Sequence, residues 1–78
     1  MLREIGERIK RARKGASLSQ AALAEAVGVA QATVSAWESG SHGPSLEHFE
    51  TIAQACGRSP GWLAFGDIDA ATTRREER

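Results

Sequence analysis

The sequence predicts an all-α chain of five short helices, and three observations carry that expectation. Apolar residues recur every three or four positions through most of the chain. Strict apolar–polar alternation over a strand's length appears nowhere, and β-branched residues are sparse. Five glycines (Gly15, Gly28, Gly40, Gly57 and Gly66) each follow one of the periodic stretches, where the chain leaving a helix often needs a positive φ.

The first helix is expected near residues 2–14, with Ile5, Ile9 and Ala12 on its apolar side. The second, near 19–27, has Leu23 and Val27 inward, Ala24 and Ala26 filling in, and Ser19 placed to accept a backbone hydrogen bond at its start. The third, near 30–39, turns Val34 and Trp37 inward; its cap position holds Ala30, a poorer cap than serine by roughly 1 kcal/mol. His42-Gly43-Pro44 reads as a loop. Ser45 then opens a fourth helix near 45–56, with Phe49, Ile52, Ala53 and Cys56 at helical spacing. Ser59-Pro60 opens a fifth near 59–65, proline standing where its missing N–H is harmless. Residues 1–66 thus form one domain, and 67–78 a polar tail whose one large apolar residue is Ile68, expected to be flexible.

Several function classes fall away on composition. Alanine supplies 14 of the 32 hydrophobic residues in the 78-residue chain, leaving a core too small to enclose a deep substrate cavity. No nucleophile–base pair can be assembled, so no catalytic residue and no enzymatic activity are expected. One cysteine, Cys56, excludes an internal disulfide, and with His42 and His48 it matches no zinc spacing, so neither metal nor cofactor is expected. Without a membrane-length apolar run or a signal-peptide stretch, the expected location is the cytoplasm, at the nucleoid.

Net charge is zero but unevenly spread. Residues 1–15 carry six basic and two acidic side chains, whereas 16–57 carry four glutamates and no lysine or arginine. The segregation suggests that one end faces phosphate.

From Gln20 to Trp37, QAALAEAVGVAQATVSAW, two helices of about eight residues meet at Gly28-Val29-Ala30, with small Ala24 where they must approach. This spacing resembles a helix-turn-helix, whose second helix enters the DNA major groove. The resemblance extends through Leu18-Ser19-Gln20, Trp37-Glu38-Ser39-Gly40, Pro44-Ser45-Leu46-Glu47 and Gly61-Trp62-Leu63-Ala64-Phe65-Gly66 to the Cro and phage-repressor family. It runs from about Ile5 to Gly66 and implies a five-helix, lambda-repressor-like domain that binds double-stranded operator DNA, usually as a dimer.

With Val34 and Trp37 inward, the outward positions of the third helix are Gln31, Ala32, Ser35, Ala36 and Ser39. Gln31 matches the family position that commonly reads a base, and a glutamine amide pairs bidentately with adenine. Ala32 and Ala36 either touch thymine methyls or serve as neutral helix formers, with Ser35 on the same base-facing side. Thr33 and Ser39 suit phosphate contacts better than base recognition. Gln20 matches the position the family sets against the phosphate backbone, where helix N-terminal amides help. Trp37 and Cys56 are expected in the core, His48 on the surface and His42 in solvent.

On the first helix, Glu4–Arg8 and Glu7–Arg11 stand at ion-pairing spacing. Arg13 matches the family partner of the glutamate after the recognition helix, here Glu38. Both would be partly desolvated, and each then needs the other. Lys10 and Lys14 remain as free phosphate ligands, with Arg3 less committed. The fifth helix cannot bury Trp62, Leu63 and Phe65 together in so small a domain, so at least one should join an apolar patch through which two copies associate.

The chain departs from its family at Ala36, Ser41 and Gly43, where relatives often carry Lys or Arg. Few phosphates are then neutralised. The primary expectation is a sequence-specific transcriptional regulator of repressor type. The alternative is a protein-interaction module on the same fold, antitoxin-like or polymerase-binding, with DNA reading weakened or lost.

Overall fold

In the computed structural model, which describes residues 1–66, five helices follow one another with short connections; the 67–78 tail lies outside the described residues. They are α1 (Leu2–Gly15), α2 (Gln20–Val27), α3 (Gln31–Ser39), α4 (Leu46–Cys56) and α5 (Pro60–Phe65). No strand occurs among the described residues.

The starts follow side-chain chemistry. Ser19, Ser45 and Ser59 each accept a hydrogen bond from the backbone N–H three residues on, at Ala22, His48 and Trp62. Ala30 has no such group, and α3 begins without a side-chain cap.

The ends of the first four helices share one backbone device, an N–H bonded to the carbonyl five residues earlier: Leu18 to Arg13, Val29 to Ala24, Ser41 to Ala36 and Arg58 to Ala53. In α2, α3 and α4 the left-handed residue within it is Gly28, Gly40 or Gly57. In α1 it is not the expected Gly15, which stays helical, but Ser17 at φ 61°. The helix runs one residue further than its glycine suggests, because Leu18 must reach the Arg13 carbonyl.

Ile5, Ile9 and Ala12 of α1, Leu23 and Ala24 of α2, Val34 and Trp37 of α3, Ile52 and Ala53 of α4, and Leu63 of α5 form one buried cluster. Each large member contributes roughly 1.5–3 kcal/mol by leaving water. Leu63 is fully buried, which removes it from the expected association patch. It occupies the inward side of a single-turn helix, so Phe65 is driven outward and Trp62 lies half-buried at the margin. Cys56 sits at the core's edge, where burial pushes its thiol pKa up.

α1 crosses α3 at Gly6. A Cβ there would collide with the carbonyl oxygen of Trp37 and stand 2.6 Å from that of Glu38. The missing side chain lets the two backbones touch, which sets how α3 lies on the domain.

Candidate nucleic-acid interface

Gly28 turns the chain between α2 and α3 at φ 88°, a conformation an L side chain adopts only with strain. Val34 and Trp37 then anchor α3 in the core, and its opposite side is bare. Gln31, Ala32, Ser35 and Ser39 are exposed, while Thr33 and Ala36 are half-buried. Ala36 accepts the Ser41 N–H through its carbonyl, so the following loop folds back beside it. The Ser39 hydroxyl is 3.1 Å from the Ala36 carbonyl, to which it donates, and 3.0 Å from the Ser41 hydroxyl.

The interior side of this surface is held by a polar chain. Arg13 grips Glu38 with two hydrogen bonds, Nε to Oε2 at 2.6 Å and Nη2 to Oε1 at 3.1 Å. Its remaining Nη1 donates to the Leu18 carbonyl at 2.8 Å. The two side chains are only 10% and 5% exposed, so neither charge has water to fall back on. The hydrogen bonding to Glu38 raises the pKa of Arg13, against the opposing effect of burial. Gln20 continues the chain, its Nε2 donating to Glu38 Oε1 at 3.0 Å. Gln31 Nε2 in turn points at Gln20 Oε1 from 3.5 Å, a long contact.

Chemistry dictates the order of atoms along this chain. A carboxylate only accepts, so Gln20 must turn its amide nitrogen to Glu38 and its oxygen outward. Gln31 must then offer nitrogen on that side. The long Gln31–Gln20 contact favours that polarity at the exposed end without locking it.

The basic residues of α1 divide between two flanks. Counting about 100° per residue, Lys10 falls about 60° beyond Arg13 and Lys14 about 100° beyond it, on the flank next to α3. Both are exposed. Arg8 falls on the opposite flank and donates to the Leu63 and Ala64 carbonyls at 2.8 and 2.7 Å. The expected Glu4–Arg8 and Glu7–Arg11 pairs do not form: Glu4 lies 2.9 Å from the amino terminus, and Glu7 lies 3.9 Å from Arg3. Open carbonyls at the end of α5 outcompete an exposed carboxylate for Arg8, because two partly buried charge-assisted bonds are worth more than one solvated pair.

His48 is not simply a surface residue. Its ring lies 5.2 Å from that of Trp37, tilted by 49°, and its Nδ1 is 3.1 Å from the Ser45 hydroxyl. His42 is exposed. Among the described residues no group of three or more His, Cys, Asp or Glu is placed to hold a metal ion, and no helix is long and apolar enough to cross a membrane.

Sequence reasoning missed Gly6, the Arg8 contact with α5 and the Gln20–Glu38 bond. Gly6 did carry a signal, since a glycine inside a helical pattern costs about 1 kcal/mol and marks close backbone approach. The other two depend on contacts between distant segments.

Two short helices joined at a left-handed glycine, the second anchored inward and bare outward, define a helix-turn-helix domain. The chain belongs to the helix-turn-helix family of the Cro and phage-repressor type, whose profile matches residues 9–63. It is 35% identical over 74 residues to the HTH-type transcriptional regulator DicA of Escherichia coli K12, covering 95% of this chain and 55% of DicA. It is 34% identical over 74 residues to Repressor protein C2 of Salmonella phage P22, covering 95% of this chain and 34% of that repressor. The chain therefore spans about half or less of the length of these curated relatives. Among solved structures, the P22 c2 repressor in complex with synthetic operator 9T superposes with a TM-score of 0.77 at 38% identity, over 81% of this chain and 96% of that one. The fold is the five-helix, lambda-repressor-like one.

Proposed function

We propose that this domain is the operator-binding part of a transcriptional repressor, regulatory rather than enzymatic, acting in the cytoplasm at the nucleoid. The observation that carries the proposal is the chain from Arg13 through Glu38 and Gln20 to Gln31, a buried ion pair ending at an exposed amide. Such a chain has no need to emerge at the surface for stability alone. It makes sense where an amide must meet a base edge in one orientation.

In this proposal α3 lies in the major groove. Gln31 pairs with adenine, Ala32, Ser35 and Ala36 face neighbouring bases, and the alanine methyls meet thymine methyls. Gln20 and Thr33 bind phosphate, as does Ser39 once its hydroxyl turns from the Ala36 carbonyl, joined from α1 by Lys10 and Lys14. Gln20 keeps one amide N–H on Glu38 and has the other for phosphate. The likeness to a repressor crystallised on its operator supports this arrangement.

Two copies associate through Phe65, 59% exposed, and Leu46, 86% exposed, which flank a groove between α4 and α5 floored by Phe49, Pro60 and Ala64, while half-buried Trp62 faces α1 instead. The sparsity of basic residues in 16–57 makes this association important, since each subunit neutralises few phosphates.

Selection of bound duplexes from a random pool tests the proposal. The expected result is an inverted repeat with half-sites about 34 Å apart, and an adenine preference that Gln31→Ala relaxes. A folded chain that enriches no sequence sinks it and favours the protein-interaction alternative.

A further inference from the structure

α5 is too short to hold its own shape. A helix of six residues has few internal hydrogen bonds, and its last carbonyls have no partner further along the helix. Three contacts tie it down: Leu63 sits in the core, Arg58 lies 3.6 Å over the Trp62 ring, and Arg8 clasps the last turn.

The clasp is specific in geometry. Arg8 Nε donates to Leu63 O at 2.8 Å and Nη2 to Ala64 O at 2.7 Å, so one planar guanidinium spans two successive carbonyls. Its positive charge also meets the negative end of the helix. Gly66 turns away with φ 75°, and Arg8 Nη1 lies 3.5 Å from where a Gly66 Cβ would stand. Phe65, the exposed aromatic, sits between the clasped carbonyls and this turn. Its direction is thus set by a residue 57 positions earlier in the chain.

We infer that Arg8 is a positioning residue for self-association: by holding the last turn of α5 it sets Phe65 beside Leu46 as one face for a second copy of this chain. This rests on the association proposed above. The clasp lies on the flank of α1 away from Lys10 and Lys14, so it serves association without entering the DNA surface.

The test uses Arg8→Met, which removes the donors, and Arg8→Lys, which keeps the charge but replaces the planar fork with a point donor. Hydrogen exchange at the Leu63 and Gly66 amides is followed in dilute protein, and the dimer Kd is measured by sedimentation equilibrium. Unchanged exchange at Leu23 and Val34 shows that each variant is folded. The expected result is exchange at Leu63 and Gly66 faster by about tenfold or more in Arg8→Met, with a dimer Kd raised by a similar factor and Arg8→Lys between the two. Faster exchange with an unchanged dimer Kd overturns the role of Arg8 and leaves the association standing. Unchanged exchange in both variants overturns the clasp itself. A wild-type chain monomeric at high micromolar concentration overturns the association and the role together.

Discussion

Gly6 and Trp37 touch backbone to backbone: the Cα of one stands where a side chain would strike the carbonyl oxygen of the other, so the first helix holds the recognition helix with nothing between them. Through this contact and the Arg13–Glu38 pair, α1 holds the C-terminal end of α3 at two adjacent residues, Trp37 and Glu38. The geometry of the proposed DNA surface therefore depends on a helix that lies behind it.

Gly6→Ala and Gly15→Ala should have opposite signs. Alanine gains roughly 0.5–1 kcal/mol over glycine in a helix, and Gly15 has open space around its missing side chain, so Gly15→Ala is expected to stabilise by about that amount. At Gly6 the same methyl meets backbone that cannot rotate away, and overpacking of this kind costs about 1–3 kcal/mol. Urea melts of both variants check the pair. Gly6→Ala as stable as the parent chain would mean that α3 moves aside freely.

Ser17 marks where the sequence was least legible. A glycine at the end of a periodic stretch is a sound sign of a left-handed ending, and Gly28, Gly40 and Gly57 behave so. Gly15 does not, because the Arg13 carbonyl captures Leu18 and moves the turn two residues on, to a serine. Ser17→Gly is expected to stabilise the domain by about 0.5–1 kcal/mol, relieving a left-handed side chain at some entropic cost. A lower Tm for this variant would show that the serine side chain supports the turn.

What the sequence did show, it showed through local pattern. Val34 and Trp37 at helical spacing face the core, leaving Gln31 outside, and the three serine starts are visible because a cap acts over three residues. Arg8 was misassigned for the complementary reason. Glu4 is its neighbour along the helix, whereas the Leu63 carbonyl, 55 residues away, becomes a competitor only after the chain has folded. The same holds for Leu63, whose burial depends on how α5 rotates against α1 and α4. Arg13 and Glu38 were visible only through a family likeness, since no local spacing relates residues 25 apart.

The Cys56 thiol gives a pH dependence of known sign. Burial raises its pKa in the folded chain, so the thiol form is favoured there and the unfolded chain ionises first. The contribution is intact below the unfolded thiol value and is lost as pH rises from about 8.5 through the higher folded value. Cys56→Ala should therefore flatten part of the decline in stability between neutral and alkaline pH. If parent and variant lose stability in parallel across that range, the thiol is not the cause.

Removing either partner of the Arg13–Glu38 pair should be costly, and removing both much less so than the sum. A lone charge in so enclosed a place costs about 3–5 kcal/mol, whereas an apolar pair of similar volume forgoes both the attraction and the desolvation. Arg13→Met, Glu38→Leu and the double variant form a cycle readable in urea. The double variant should fold yet select DNA less sharply, because Gln20 is then free to reverse its amide and Gln31 with it. Equal losses that simply add would reduce the pair to two independent residues.

Salt dependence tests how few cations meet DNA. Arg8 is committed to α5 and Arg13 to Glu38, and Arg11 lies on the other side of α1 beside Cys56 and Arg58, which leaves Lys10, Lys14 and, more loosely, Arg3 on the flank beside α3. The segment containing α2 and α3 adds no lysine or arginine. Each subunit should then neutralise about two to four phosphates, giving a dimer a slope of log K against log salt of roughly −4 to −7. Amide donors such as Gln20 add affinity without steepening that slope, because they displace no counterion. Substituting Lys10 and Lys14 by alanine together should flatten it by about 3 to 4, four charges per dimer at nearly one counterion each. A slope near −10 in the parent chain would place other cations on the DNA. An unchanged slope in the double variant would take α1 away from the phosphates altogether.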